Sequence, residues 1–158
     1  MLIWRICRAP FAGEAFSGEG ARRFGGGWNS RGVPMVYTST SLALATIELF
    51  VHTEPGLAPD DLVCLSATLP DSEPARTLQL TDLPDGWWAE TAMTRQLGDA
   101  WMQERSSLAL MVPSVPIHAE WNVLLNPLQP RSAELQIDPP QPFVFDARMF
   151  QRAGKALP

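Results

Sequence analysis

Between Ser41 and His52 the chain reads SLALATIELFVH, a run whose only ionisable side chains are Glu48 and His52. Ser39, Thr40 and Ser41 offer N-cap oxygens, and the residues that follow predict a helix that ends before Pro55, Gly56 and Pro59. Such a helix is apolar on nearly every side. It is therefore expected to be buried, which demands a layered fold around it. At about 100° per residue, Ser41, Ala45, Glu48 and His52 fall on one narrow stripe, and no Lys or Arg lies within four residues of Glu48. Periodicity leaves open whether that stripe meets solvent or a polar pocket.

Strand-like segments surround this helix. Leu2–Cys7, Pro34–Thr38, Leu62–Leu69, Ser107–Pro113 and Trp121–Leu125 are short, apolar and bounded by turn residues. TLQL after Arg76 reads as a further strand, as do Ala133–Ile137 and Phe143–Asp146 on either side of a Pro-Pro turn. Glu90–Arg105 predicts an amphipathic second helix, weakened in its middle by Gly98. From Ala9 to Pro34 glycine dominates and no period survives, so this segment is expected to be a long loop. The reading is an α+β fold with two main helices, one domain over residues 1–158 and a loosely held tail over 147–158.

Composition excludes several classes. The formal net charge is −5, and Arg22, Arg23 and Arg31 form the one local basic cluster, too small for a duplex but sufficient for one diphosphate. Nucleic-acid binding is not expected. The apolar start MLIW is broken by Arg5, and no stretch approaches the roughly 18 apolar residues of a membrane span, so a cytoplasmic location is expected. Cys7 and Cys64 read as free thiols, and six tryptophans against one tyrosine are expected to fill the core or line a cleft.

Three segments carry chemistry. Glu48 is the isolated carboxylate of the first helix. SGEGARRFGGGWNSRG allows close backbone approach to a ligand and brings arginines with it, yet it is neither a P-loop nor GxGxxG, and an ordinary surface loop explains it as well. Ser114 stands between Pro113 and Pro116-flanked sequence at a strand end, but with His118 and Glu120 it lacks the G-x-S-x-G elbow of a serine hydrolase. The two histidines and two cysteines have no metal-ligand spacing, so no metal is expected.

Taken in order, WRI with Arg5, the loop GEGARRFGG-x-WN, the strand VYTS, the helix SLALATIELFVH, and VPS followed by NVLLNP resemble the RES-domain family of bacterial toxins. The resemblance covers the chain to about Asp146. It implies an ADP-ribosyltransferase-like fold, a cleft that takes NAD⁺ as substrate, and an Xre-type helix-turn-helix antitoxin as partner. It implies roles too: Glu48 as catalytic carboxylate, Tyr37 on the nicotinamide side, and Arg5, Ser114, Trp28 and Asn29 around the substrate. Cleavage of the nicotinamide–ribose bond, transfer of ADP-ribose to a protein, and a non-catalytic role bound to the antitoxin are the activities it leaves open. One position departs from the family pattern. The loop usually reads GGRWN, and Gly27 stands here where the arginine is expected, which implies an attenuated enzyme.

Overall fold

The computed structural model describes residues 1–54, 57–70 and 75–150. Its centre is one sheet built from β1 (Leu2–Arg8), β2 (Val36–Ser39), β3 (Leu62–Thr68), β4 (Arg76–Thr77), β5 (Ala109–Pro113), β6 (Trp121–Leu125), β7 (Gln136–Ile137) and β8 (Gln141–Pro142). Among the described residues the order is β4-β5-β6-β2-β1-β3-β7, and β8 pairs with β3. Every pairing is antiparallel except β4 with β5. The helices are α1 (Glu19–Phe24), α2 (Leu42–Phe50) and α3 (Thr91–Glu104). The fold is α+β, with α2 and α3 as its longer helices.

Alternation along the central strands divides the core in two. Leu110, Val112 and Leu124 point to one face and join Trp28, Met35, Trp87, Trp101 and Met102. Ala109, Val123 and Leu125 point to the other and join Ile3, Val36, Ala67 and Leu108. Tyr37 is paired with Leu124 and Ser39 with Asn122, so these four side chains share the first face. Of the tryptophans, Trp28, Trp87 and Trp101 are buried, whereas Trp88 is exposed.

Several local expectations are corrected. The segment after β1 is not structureless: a 3₁₀ turn spans Ala9–Glu14, and α1 follows, held by Glu19 bonding Arg22 and Arg23 three and four residues on. TLQL contributes only Arg76–Thr77 to the sheet, because Gln79 and Asp82 cap one another and turn Leu80–Asp82 into a 3₁₀ helix. In the Ala133–Ile137 segment, Pro130–Glu134 is likewise a 3₁₀ turn and only Gln136–Ile137 pairs, Pro130 and the Gln129 side chain starting the turn. Phe143 still donates its N–H to the Leu62 carbonyl at 2.9 Å, but the chain then leaves the sheet, and the Phe145 ring packs with Phe50, Phe143 and Phe150 at centroid separations of 5.3–6.2 Å. That cluster ties down the turn Ala147–Phe150, so the start of the expected loose tail is docked. The remainder, residues 151–158, lies outside the described residues.

The first helix is capped by Ser41, whose hydroxyl accepts from the Leu44 N–H at 3.1 Å. It is not buried all round, as its apolar sequence predicted. Only Leu44 and Ala45 are fully buried, and Ala43 is exposed. The helix packs on β1 and β2 along one side and borders an open cleft along another. Cys7 and Cys64 are free thiols, as expected.

Candidate active site

The cleft has a volume of about 440 Å³, within the range of small-molecule sites. Ala45, Glu48 and Leu49 of α2 and His52 in the turn after it line one side, so the stripe that carries Glu48 faces a pocket. Gly20, Ala21, Phe24 and Gly25 to Gly27 line another, and Trp4, Arg5, Tyr37, Ser39 and Asn122 come from the strands.

Glu48 is oriented by two donors on a single oxygen. The Ser114 hydroxyl donates to Oε1 at 2.7 Å, and the Asn122 amide donates to the same atom. Ser114 is itself fully buried and accepts from the Ile117 N–H at 3.2 Å, which fixes its rotor. Asn122 is aligned by the Ser39 hydroxyl, which donates to its Oδ1 at 2.7 Å. Oε2 of Glu48 takes no hydrogen bond among the described residues. A carboxylate clamped at one oxygen and open at the other is preorganised to meet positive charge or a hydroxyl.

Arg5 lines the same cleft, half-buried, its Nη1 donating to the Tyr37 carbonyl at 2.8 Å. Its Nε is buried with no hydrogen-bond partner, and no carboxylate pairs with the guanidinium among the described residues. Burial pushes its pKa down, the Cys7 sulfur opposing this weakly. A half-buried cation with a stranded Nε and no counter-charge among the described residues is costly, and an anionic ligand in the cleft would relieve it.

The glycine-rich loop is held in place from two sides. The Tyr37 hydroxyl donates to Asn29 Oδ1 at 2.7 Å and accepts from the Trp28 N–H at 2.9 Å. From α3, the Thr94 hydroxyl donates to the Gly27 carbonyl at 2.5 Å, Arg95 Nε donates to the Gly26 carbonyl at 2.7 Å, and Asp99 accepts from the Ser30 N–H at 2.9 Å. Burial is the main cause that raises the Tyr37 pKa to about 12, so the hydroxyl stays protonated and keeps donating.

Tyr37→Phe is expected to cost about 2–3 kcal/mol in thermal or denaturant unfolding, because it strands the Asn29 oxygen and the Trp28 N–H. The unfolded chain releases the tyrosine proton near the ordinary value of 10, the folded one only near 12. Stability therefore falls as pH rises through that window, and Tyr37→Phe is expected to flatten this part of a stability–pH curve.

The sequence-predicted site is thus partly assembled. Arg5, Gly27, Tyr37 and Glu48 line the cleft, and Ser114 stands behind Glu48. Trp28 and Asn29 do not line it. Trp28 belongs to the core, and fully buried Asn29 spends its amide on the Ala21, Ser30 and Val33 carbonyls. Arg22 and Arg23 are engaged by Glu19 on the surface. The alternative triad is not formed: Ser114 donates to Glu48, while His118 stacks on Trp88 at 4.7 Å.

The RES domain family matches residues 2–146. The chain belongs to the RES family. It is 35% identical over 157 residues to the Prs ADP-ribosylating toxin of Sphingobium sp. (strain YBL2), across 96% of this chain and 98% of that protein. It is 36% identical over 154 residues to Toxin Res of Pseudomonas putida (strain KT2440), across 95% of this chain and 100% of that protein. It shares its fold with a chain in the crystal structure of the M. tuberculosis MbcT–MbcA toxin–antitoxin complex, at TM-score 0.68 and 17% identity over 94% of this chain and 86% of that one.

Within this RES domain, sequence reasoning missed Asn122 as a partner of Glu48. The signal was faint: a single polar residue in the apolar strand Trp121–Leu125, at the position that faces the same side as Leu124. It also missed Thr94, Arg95 and Asp99 as the clamp on the glycine loop. Among the described residues no group of three or more His, Cys, Asp or Glu could hold a metal ion, and no helix is long and apolar enough to cross a membrane.

Proposed function

We propose that this protein is the toxin of a toxin–antitoxin pair and acts in the cytoplasm by breaking the nicotinamide–ribose bond of NAD⁺. The observation that carries the reading is Glu48, held at one oxygen by Ser114 and Asn122 and open at the other, in a cleft that also contains the uncompensated cation Arg5.

The chemistry matches that arrangement. Nicotinamide leaves with the electron pair of the C–N bond, which neutralises its ring nitrogen, so no general acid is needed. The ribose carbon is left with oxocarbenium character, and the open oxygen of Glu48 balances that charge and accepts a ribose hydroxyl. Arg5 pairs with the diphosphate and thereby gains the counter-charge it lacks. Tyr37 offers its ring face, since its hydroxyl is committed to the loop. Water or phosphate then bonds to the ribose carbon and gives up a proton. The name of the Sphingobium relative supports a second reading, in which the acceptor is a protein side chain. The partner expected from the resemblance is an Xre-type antitoxin. Nicotinamide release measured with and without phosphate, beside transfer of labelled ADP-ribose to protein, separates the acceptors; release in none of these settings refutes the reading.

Gly27 makes this chain a weakened form of the enzyme. Gly27 lines the cleft, its φ is not in the left-handed region, and a β-carbon there meets nothing within 4 Å. A side chain can therefore start from this position without a clash at its first carbon, beside the cleft. Gly27→Arg is expected to raise kcat/KM for NAD⁺ by about 30- to 1,000-fold, the effect of adding one preorganised electrostatic donor. No gain in nicotinamide release would show that glycine costs this enzyme nothing.

A further inference from the structure

Phe24 ends α1 and lines the cleft, yet 74% of it is exposed. It belongs to neither core cluster, and no other aromatic ring packs on it among the described residues. The cleft-lining residues nearest to it in sequence are Gly20, Ala21 and Gly25, none of which has a side chain long enough to cover a phenyl ring. A phenylalanine left bare in water forgoes the burial that ordinarily places it.

Its backbone is nonetheless fixed. Asn29 donates to the Ala21 carbonyl at 2.9 Å, Gly32 N–H donates to the Arg22 carbonyl at 2.8 Å, and Gly25 N–H closes the helix on the Ala21 carbonyl at 2.8 Å. The result is a rigidly mounted, solvent-facing π surface on the rim of a ligand cleft.

A dinucleotide brings two planar rings to such a cleft. The ring that reacts must lie where the open oxygen of Glu48 reaches its ribose, among half-buried Tyr37 and buried Ser39. The ring that does not react needs only a face to stack on and tolerates water on its other side. We propose that Phe24 is the stacking platform for the adenine base of the bound dinucleotide, an inference that rests on the NAD⁺ reading above. Stacking of a base on an aromatic side chain is sequence-tolerant, and its loss on alanine substitution corresponds to about 5- to 150-fold in affinity.

The test compares NAD⁺ with nicotinamide mononucleotide, which carries the same scissile bond without the adenylate half. Phe24→Ala is expected to raise KM for NAD⁺ about tenfold with little change in kcat, and to shrink the kcat/KM preference for NAD⁺ over the mononucleotide by the same factor. Phe24→Trp, which keeps a π face, is expected to retain the preference, and Phe24→Leu, apolar but not aromatic, to lose it. Calorimetric titration with AMP gives a readout independent of turnover: binding should weaken in Phe24→Ala and persist in Phe24→Trp. An unchanged preference, an equal loss on both substrates, or AMP affinity independent of residue 24 would each overturn the assignment. If no variant releases nicotinamide, the reaction reading fails, and the AMP titration alone still decides the role of Phe24. Thermal melting should be alike in all four proteins, since the ring is exposed.

Discussion

Glu48→Gln is expected to lower nicotinamide release by roughly 10²–10³-fold, about 3–4 kcal/mol of activation free energy. Glutamine has nearly the shape of glutamate and keeps an oxygen for the Ser114 and Asn122 donors, so melting behaviour should change little. What disappears is the negative charge opposite the developing oxocarbenium ion. Ser114→Ala and Asn122→Ala leave that charge in place and remove one orienting donor each. Their losses are expected to be smaller, and the double variant to cost less than the sum, because both act on one oxygen. Steady-state release of nicotinamide by the purified variants checks the series. A Glu48→Gln enzyme within tenfold of the parent would assign the charge stabilisation to another group.

The second large effect is on stability. Gly98→Ala is expected to destabilise the fold by about 3 kcal/mol, or roughly 6–12 °C in melting temperature. Intrinsic helix propensity argues the other way, since alanine in place of glycine favours a helix by about 1 kcal/mol. Packing decides the sign. A β-carbon at Gly98 would overlap the Trp28 carbonyl oxygen and stand 2.9 Å from its carbonyl carbon and 3.3 Å from Met35 Cε. To make room, α3 must move off the loop, and the bonds from Thr94, Arg95 and Asp99 to that loop weaken together. Activity should fall with stability, because the same loop forms a wall of the cleft. A melting temperature equal to or above that of the parent would show that the two elements separate at little cost.

Gly98 also marks where local reasoning stops. Within the helix it is a weak point, and the carbonyl of Trp28, far back along the chain, explains it. The glycine-rich segment behaves alike. Its lack of period hid the short helix α1, because six residues stabilised by Glu19 pairing with two arginines leave no pattern longer than one turn and a half. The last strand differs for a related reason: Phe145 has a strand-forming side chain, but the rings of Phe50, Phe143 and Phe150 offer it a better packed environment than the sheet edge.

The sequence by itself determined the α+β class, the Ser41-capped helix, the strand Trp121–Leu125 to the residue, and the stripe that carries Glu48. These depend on capping, propensity and periodicity, which act between near neighbours. Through its motifs it also determined the family. Tertiary structure alone decided that the stripe faces a cleft rather than water, and that Ser114 and Asn122, 66 and 74 residues away, hold one oxygen of Glu48. It also decided that Arg5 stands there without a counter-charge among the described residues, while Trp28 and Asn29 turn into the core. Those outcomes follow from strand register and from the packing of α3 on the loop, which no local pattern encodes.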